Sequence, residues 1–419
     1  MFKFLRYKFN PSTFIASFYY EGADGTNFCE KIQFEKTRFD FSSEASVILD
    51  RALTLAHIIL GTSYYKSHPT PEISIPYNLD VEKATFFNYV YQEGLSQFAY
   101  ENDLTRDNLA HFKPNKIALL ENPIKYEKEG ILVGQSGGKD SLLTAKLLNN
   151  KKKSWTGVII SSTNTYPKIL DKTGAKNIQV IIRKIDTKNL IKSGGMNGHV
   201  PVTYINMCLM LIQAILSGNN VILTSIGHEG AEPHTRIGDL DVNHQWSKTW
   251  EAEQLFSNYV HHYLSKNIEI GSPLRKYSEL KIAELFTKKC WDDFGHEFSS
   301  CNVANYKQGA NNSNLKWCGL CSKCANSYLL FAPFIEPKDL NSLFENGTPL
   351  TEKKELFDDF KGLLGIDNSM KPFECVGEIA ELRLAYHLKK PGFSDLPFDV
   401  PDSNFDYQKL YPAQENLEI

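Results

Sequence analysis

A glycine turn between a short apolar run and a helical segment constrains the fold of this chain more than any other feature. Residues 131–133 (Ile-Leu-Val) form a run that ends in glycine, as a buried parallel strand does. Further along, Leu143 and Leu147 share one face of a helix that begins near Lys139. The intervening turn reads SGGKDS and consists of Ser136, Gly137, Gly138, Lys139, Asp140 and Ser141. Strand, glycine turn and helix in this order predict a phosphate-binding loop.

The same alternation continues through the middle of the chain. Apolar runs at 158–160, 178–182 and 221–223 are typical of buried strands. An apolar helix is predicted over 202–216, and it stops at Gly218, a residue type that favours helix C-caps. Strands that alternate with helices predict an α/β fold with a parallel sheet.

Composition and pattern divide the chain into four predicted segments. The first segment is rich in Phe and Tyr, has no nucleotide signature, and mixes a strand-like piece (31–34) with a helical one (45–60). From Pro391 onward the chain is rich in proline and is expected to be extended. The segments are an N-terminal α+β domain (1–125), the phosphate-loop core (126–270), a helical segment with four cysteines (271–335), and a C-terminal helical segment and tail (336–419).

Each residue type in the turn suits contact with phosphate. The glycines let backbone amides approach an anion closely, and the N-terminus of the helix adds its dipole and its unpaired N–H groups. The two serines can donate hydroxyl hydrogen bonds, Lys139 can offset phosphate charge, and Asp140 can position Mg²⁺. The turn therefore predicts a phosphate-binding site with a place for Mg²⁺.

The common P-loop is excluded, because Gly134 lies four residues before Gly138 rather than five, and Asp140 follows the lysine where Ser or Thr is required. The turn instead resembles the S-G-G-x-D-S loop of the ATP pyrophosphatase, or PP-loop, family. That resemblance implies cleavage of ATP between the α and β phosphates and adenylation of a carboxylate or carbonyl oxygen. Glu279 stands where related PP-loop enzymes place a lysine, so a pyrophosphate contact from that position is not predicted.

A second group of residues predicts a metal site. Three cysteines follow a C-x-x-C-x-x-C spacing and a fourth lies seventeen residues upstream, which makes the set Cys301, Cys318, Cys321 and Cys324. Four thiolates suit tetrahedral Zn²⁺ in a closed structural site, and an iron–sulfur cluster accepts the same ligands. Zinc is favoured because the PP-loop 7-cyano-7-deazaguanine synthases carry a similar structural cluster.

Bulk properties narrow the class of protein. The chain has 419 residues and a formal charge of −3, which gives no support to a general nucleic-acid binder. Its N-terminus lacks a secretory apolar region, and the apolar stretch 200–216 is interrupted by polar residues and short for a bilayer span. We therefore expect a cytoplasmic protein without a membrane partner. The oligomeric state stays open.

Several longer pieces carry a resemblance over nearly the whole chain. They include HIILGTSYYK (57–66), GLSQFAYEN (94–102), GHVPVT (198–203), VNHQWSK (242–248) and KPFECVGE (371–378). With these pieces the chain resembles the MurL family of UDP-N-acetylmuramoyl-L-alanyl-L-glutamate epimerases. The resemblance implies a UDP-sugar peptide as substrate, whose C-terminal L-glutamate is adenylated with ATP, inverted at its α-carbon, and released with AMP for peptidoglycan synthesis.

Inversion needs a proton-transferring group on each face of the α-carbon, or one mobile group. Polar residues in the matching pieces supply the candidates, of which His244 and Glu378 are the first choice, with Cys375 as a rival and His199 next. The wider set also contains His228, His234, Glu232 and Glu251. Arg236, Lys248 and Arg275 are candidates for binding a carboxylate or diphosphate, although solvated surface charge is an equally good interpretation.

Three other functions stay open at this point. A PP-loop enzyme could adenylate for amide or nitrile formation, as 7-cyano-7-deazaguanine synthases do, and the cysteine set favours this alternative. An epimerase could act on a different peptide C-terminus. A zinc-stabilised nucleotide sensor without catalysis is the third, and the intact Lys139 and Asp140 argue against it.

Overall fold

The computed structural model describes residues 1–115, 122–307 and 314–418. Its centre is a nine-stranded sheet in the order β11-β8-β5-β6-β7-β3-β2-β1-β4, accompanied by a two-stranded hairpin of β9 and β10. The strands are β1 (Phe2–Asn10), β2 (Ile15–Glu21), β3 (Asn27–Gln33), β4 (Ile73–Ser74), β5 (Ile131–Gly134), β6 (Thr156–Ser161), β7 (Ile178–Lys184), β8 (Val221–Leu223), β9 (Thr235–Ile237), β10 (Leu240–Val242) and β11 (Glu269–Gly271).

The α-helices lie before, between and after these strands. They are α1 (Ala45–Leu60), α2 (Thr62–Tyr65), α3 (Val81–Gln92), α4 (Ser96–Glu101), α5 (Lys139–Asn150), α6 (Thr187–Ser193), α7 (Val202–Ser217), α8 (Trp250–Tyr263), α9 (Glu279–Phe294), α10 (Ser322–Phe331), α11 (Pro337–Asn341), α12 (Phe357–Leu364) and α13 (Ile379–His387).

The parallel part of the sheet confirms the predicted α/β core. β5 pairs in parallel with β6 on one side and β8 on the other, and β7 and β11 extend the parallel set. The chain moves from β5 to β6 and β7 on one side, and later returns to β8 on the other side of β5. In open α/β sheets, ligands bind beyond the carboxyl ends of the strands at such a switch point. The SGGKDS turn leaves the end of β5 at this position.

The N-terminal residues continue the same sheet. β1, β2 and β3 form an antiparallel meander, and β3 also pairs antiparallel with β7, with Ile32 opposite Arg183. The strand predicted at 31–34 therefore overlaps the end of β3, which begins earlier and stops at Gln33. The predicted domain division after residue 125 falls between segments that share one sheet, because β3 and β7 lie on either side of it in the sequence.

Two apolar helices form the centre of the first core. α1 packs against α7, and the buried face of each is built from aliphatic side chains. The stretch Ala45–Tyr65 is long and apolar enough to cross a membrane by length and composition, but 67% of that window is buried inside the protein. This is the position of a core helix.

The C-terminal part packs on the other side of the phosphate loop. Side chains of α9, α10, α12 and α13 form a second core, which Leu142 and Leu143 of α5 join. The tail returns along the sheet edge as extended chain, where Tyr411 N–H donates to the Lys276 carbonyl and Gln414 Nε2 donates to Glu253. The extended tail predicted after Pro391 is thus packed against the core.

Candidate functional site

The phosphate loop has a defined conformation without a ligand. Gly137 has φ +81°, in the left-handed region that glycine adopts at no steric cost. Ser141 Oγ accepts hydrogen bonds from the N–H groups of Ser136 (3.4 Å) and Gly137 (3.2 Å), and it donates to the Gly138 carbonyl. The N-terminus of α5 follows directly, with Gly138 as its N-cap. The Ser141 hydroxyl therefore shapes the turn.

Lys139 carries the positive charge of the loop and is already paired. Its ammonium donates to Asp140 at 2.8 Å and to Glu279, at the start of α9, at 2.5 Å. Burial works to lower the pKa of Lys139, but the two carboxylates raise it above its usual value. Burial also raises the pKa of Glu279 to about 7, against the opposing charge of Lys139. The loop cation is thus charge-compensated by groups that an anionic ligand would have to displace.

A second buried ion pair lies beside the first. Lys248 Nζ donates to Glu229 at 2.9 Å, and the charges of Glu229, Glu279 and Lys139 influence one another's ionisation. Glu229 also lines a cavity of about 330 Å³ whose walls include Trp246 and Trp250. The second pair therefore borders a space that a ligand can occupy.

Next to Lys248, two segments that are distant in sequence bring a thiol and an imidazole together. Cys375 Sγ lies 3.7 Å from His244 Nε2. On the other side of the ring, Nδ1 lies 2.6 Å from Gln97 Oε1, and Gln97 Nε2 donates to Glu101. Since the Gln97 amide donates to Glu101, its oxygen accepts from Nδ1–H of His244. The lone pair of Nε2 therefore faces the Cys375 thiol.

A second imidazole lies against the first. The rings of His199 and His244 have centroids 4.4 Å apart. Burial lowers the pKa of His244 to about 4, with Lys248 and Lys323 contributing to the decrease against the opposing effect of Glu374. Burial also lowers the pKa of His199 to about 3, assisted by His244 and Lys66. Both rings are therefore neutral at pH 7 and can accept protons.

The cysteine set converges as its spacing predicts. The four sulfurs of Cys301, Cys318, Cys321 and Cys324 lie within 4.8 Å of one another. Backbone N–H groups of Gly319 and Leu320 point at sulfurs of the set, which is how thiolates are stabilised in metal sites. Four convergent sulfurs with such donors fit a tetrahedral metal ion.

Comparison with known proteins identifies the family. The family model described as "MurL N-terminal domain" matches residues 1–272, and the one described as "MurL C-terminal domain" matches residues 297–394. The chain belongs to the MurL family. This confirms the resemblance noted from the sequence, and the two matched regions contain both the phosphate loop and the Cys375–His244 pair.

Curated relatives are similar to this chain over most of their length. A protein of Xanthomonas oryzae pv. oryzae named UDP-N-acetyl-alpha-D-muramoyl-L-alanyl-L-glutamate epimerase is 31% identical over 386 residues, which are 92% of this chain and 84% of the relative. A protein of the same name from Salinispora tropica is 31% identical over 409 residues, 94% of this chain and 86% of the relative.

Among the proposed bases of this MurL-family chain, the structure brings together Cys375, His244 and His199. Glu378 lies elsewhere, as the N-cap of α13. Burial raises the pKa of Glu378, as does the neighbouring carboxylate of Glu232, while Lys371 opposes the increase. In the described parts of the chain, Glu378 has no hydrogen bond to the thiol or to either imidazole.

Of the three predicted anion-binding side chains, one lies at the site and two do not. Arg275 is fully buried, donating to Glu253 and to the carbonyls of Gly227 and Lys248. It therefore holds the protein together and is not available to a substrate, contrary to the sequence prediction. Arg236 is exposed on β9 and pairs with a carboxylate of the same hairpin. Lys248 is the one that lies at the site.

Other site residues were not singled out from the sequence. Gln97 orients His244, Glu229 holds Lys248, and Lys66 lies next to His199. Gln97 and Lys66 belong to the family-matching pieces 94–102 and 57–66, which was the available signal. His228, named among the wider candidates, stacks on Tyr411 of the tail with centroids 3.6 Å apart.

Proposed function

We propose that this protein is an ATP-dependent epimerase that inverts the C-terminal L-glutamate of UDP-N-acetylmuramoyl-L-alanyl-L-glutamate for peptidoglycan precursor synthesis. The names of its MurL relatives support the substrate and the reaction. The observation that carries the mechanism is the arrangement of the loop, two ion pairs and the Cys375–His244 pair in one continuous run. A nucleotide end and a proton-transfer end are thus combined in one site.

The first step creates an acidic α-proton. An oxygen of the glutamate α-carboxylate attacks the α-phosphorus of ATP, the bond between the α-phosphorus and the bridging oxygen breaks, and pyrophosphate leaves. The resulting acyl adenylate no longer carries carboxylate charge, so removal of the α-proton no longer puts a second negative charge beside the first. In this step the amides of the loop and Lys139 bind the phosphates, and Asp140 is the residue that would hold Mg²⁺.

The second step moves protons at the α-carbon. The Cys375 thiol gives its proton to His244 Nε2, and the Lys248 ammonium nearby favours the thiolate that results. The two groups are in contact without substrate, so the α-carbon has to enter between them. The thiolate then removes the α-proton, and the His244 imidazolium returns one from the opposite face. Both groups then hold their original protons, the α-carbon is inverted, and water hydrolyses the acyl adenylate to release AMP.

The cysteine set takes no part in these steps. Its four sulfurs would hold one Zn²⁺ as a closed structural site, which would link the segment that follows α9 to the start of α10. A closed shell of four thiolates leaves no coordination position for substrate.

The test uses the purified full-length protein with ATP, Mg²⁺ and UDP-N-acetylmuramoyl-L-alanyl-L-glutamate in deuterated water. We expect AMP, pyrophosphate and product whose D-glutamate carries deuterium at the α-carbon, measured by chiral analysis and mass spectrometry. AMP without inversion would indicate a different acyl acceptor, such as ammonia in an amide-forming reaction. Absence of both AMP and exchange would refute the proposed function.

A further inference from the structure

Lys66 is a half-buried cation whose charge is not paired with a carboxylate. It follows α2, and its ammonium donates to Asn197 Oδ1 at 2.6 Å and to the Gly198 carbonyl at 2.8 Å. An ammonium has three donors, so one stays free. In residues 1–115, 122–307 and 314–418, no carboxylate forms an ion pair with Lys66; Glu101 is close enough to influence it electrostatically but accepts from Gln97 instead.

The surroundings of Lys66 add positive potential. Burial lowers the pKa of Lys66 and the charge of Arg183 lowers it further, while the carboxylate of Glu101 opposes the decrease. Arg183 has its own buried partner, Glu30, at 2.6 Å. The neighbouring ring of His199 is neutral and offers no compensating charge. Because Lys66 is half-buried and has no ion-pair partner among the described residues, its third donor fits an anion supplied by the substrate.

The position of Lys66 narrows the identity of that anion. A run of contacts and electrostatic neighbours leads from Lys139 and Glu279 to Glu229 and Lys248, then to Cys375, His244 and His199. Lys66, whose charge influences His199, is the cation at its far end. In the order of these neighbours, the proton-transfer pair lies between the loop and Lys66. A glutamyl residue also has two carboxylates, one on either side of the carbon that is inverted.

We propose that Lys66 binds the side-chain carboxylate of the glutamyl residue and so ensures that the α-carboxylate is the one adenylated. This inference rests on the proposed function. Asn197 and Gly198 hold the ammonium in place, and the third donor forms a charge-assisted hydrogen bond to the bound carboxylate. Lys66 is then a specificity residue that selects an acidic C-terminal side chain.

The experiment compares two substrates in three proteins. The substrates are the UDP-sugar peptide ending in L-glutamate and its analogue ending in L-glutamine, which lacks the side-chain charge. The proteins are the wild type, Lys66→Met, and Lys188→Met, which removes an exposed lysine of the nearby α6. The measurements are kcat/KM for AMP formation and the rate of α-deuterium incorporation, with the melting temperature recorded for each protein.

We expect the wild type and Lys188→Met to prefer the glutamate peptide by roughly 10- to 100-fold, the worth of one hydrogen bond to a charged group. In Lys66→Met, kcat/KM for the glutamate peptide should fall to the level of the glutamine peptide, whose own value stays unchanged. An equal loss for both substrates would mean a structural role and overturn the inference, as would a preference that survives in Lys66→Met. A wild type inactive on both peptides would refute the proposed function itself.

Discussion

The two ends of the candidate site are in opposite electrostatic states. At the loop, the cation Lys139 is held between the carboxylates of Asp140 and Glu279. At the other end, His244 and His199 are neutral, and the pKa of each is lowered by burial and by nearby lysines. The loop end is therefore charge-compensated before any ligand binds, whereas the imidazole end combines two neutral rings with Lys66, which has no ion-pair partner in the part of the chain that the structure describes.

This difference fits a division of tasks within one reaction. In the proposed reaction, the phosphates of ATP have to displace a carboxylate from Lys139 when they bind at the loop. At the other end, the lysine ammonium groups attract a carboxylate substrate. The neutral imidazoles beside them keep a nitrogen lone pair that can accept a proton. Variants that affect one end and leave the other intact test whether the division is real.

The largest effect should come from removing the thiol. In Cys375→Ala, we expect α-deuterium incorporation to fall by about 10²- to 10⁴-fold, the usual contribution of a positioned acid or base. Pyrophosphate release in a single turnover should change little, because the loop is unaltered. Cys29→Ala, which removes a half-buried thiol on β3, is the control. Normal exchange in Cys375→Ala would remove the thiol from the mechanism.

Removing the loop cation, Lys139, should decrease pyrophosphate release and deuterium incorporation together. In Lys139→Met, we expect single-turnover pyrophosphate release and deuterium incorporation to fall in parallel by about 10²- to 10³-fold, because proton transfer requires the acyl adenylate. The control is Lys146→Met, which removes a more exposed lysine of the same helix. If exchange persisted while pyrophosphate release was lost, the order of the two steps would be wrong.

The two ends also differ in how far the sequence predicts them. The loop is local: six consecutive residues after an apolar run indicate its conformation and its chemistry. The charge state of the loop cannot be predicted from these six residues, because Lys139 pairs with Glu279, which lies 140 positions away in the sequence. The other end depends on long-range contacts, because His244 and Cys375 are 131 positions apart in the sequence and Gln97 and His244 are 147 positions apart.

Tertiary structure was therefore needed to choose among candidate bases. Sequence reasoning named His244, Cys375 and His199 from the family-matching pieces, and the fold brings these three together. It also ranked Glu378 beside His244, and no local pattern could show that Glu378 would be the N-cap of α13 and, within the described ranges, without a hydrogen bond to the thiol or the imidazoles. Similarly, Arg275 looked like an anion ligand until its burial and its four donated hydrogen bonds were known.

The cysteine set should be required neither for adenylation at the loop nor for proton transfer at the imidazole end. In Cys324→Ser, we expect loss of bound zinc, measured by elemental analysis, and a decrease in the free energy of unfolding on the order of 3 kcal/mol. The activity per folded molecule should stay near that of the wild type for both readouts. A selective loss of deuterium incorporation at unchanged stability would instead link the cluster to the proton-transfer end.

The smallest effect concerns the carboxylate that compensates the loop. Because the pKa of Glu279 is about 7, roughly half of this group is ionised at neutral pH. ATP brings negative charge beside it and raises this pKa further, so binding should take up protons, and affinity should fall about three- to tenfold as the pH rises from 6.5 to 8. Calorimetry in buffers of different ionisation enthalpy measures the uptake.

In Glu279→Gln the uptake should vanish and affinity should become nearly independent of pH, whereas Glu297→Gln, at an exposed carboxylate, should behave as wild type. Proton release on binding would show that Glu279 stays ionised beside the phosphates, and the loop end would then have to accommodate both anions around Lys139.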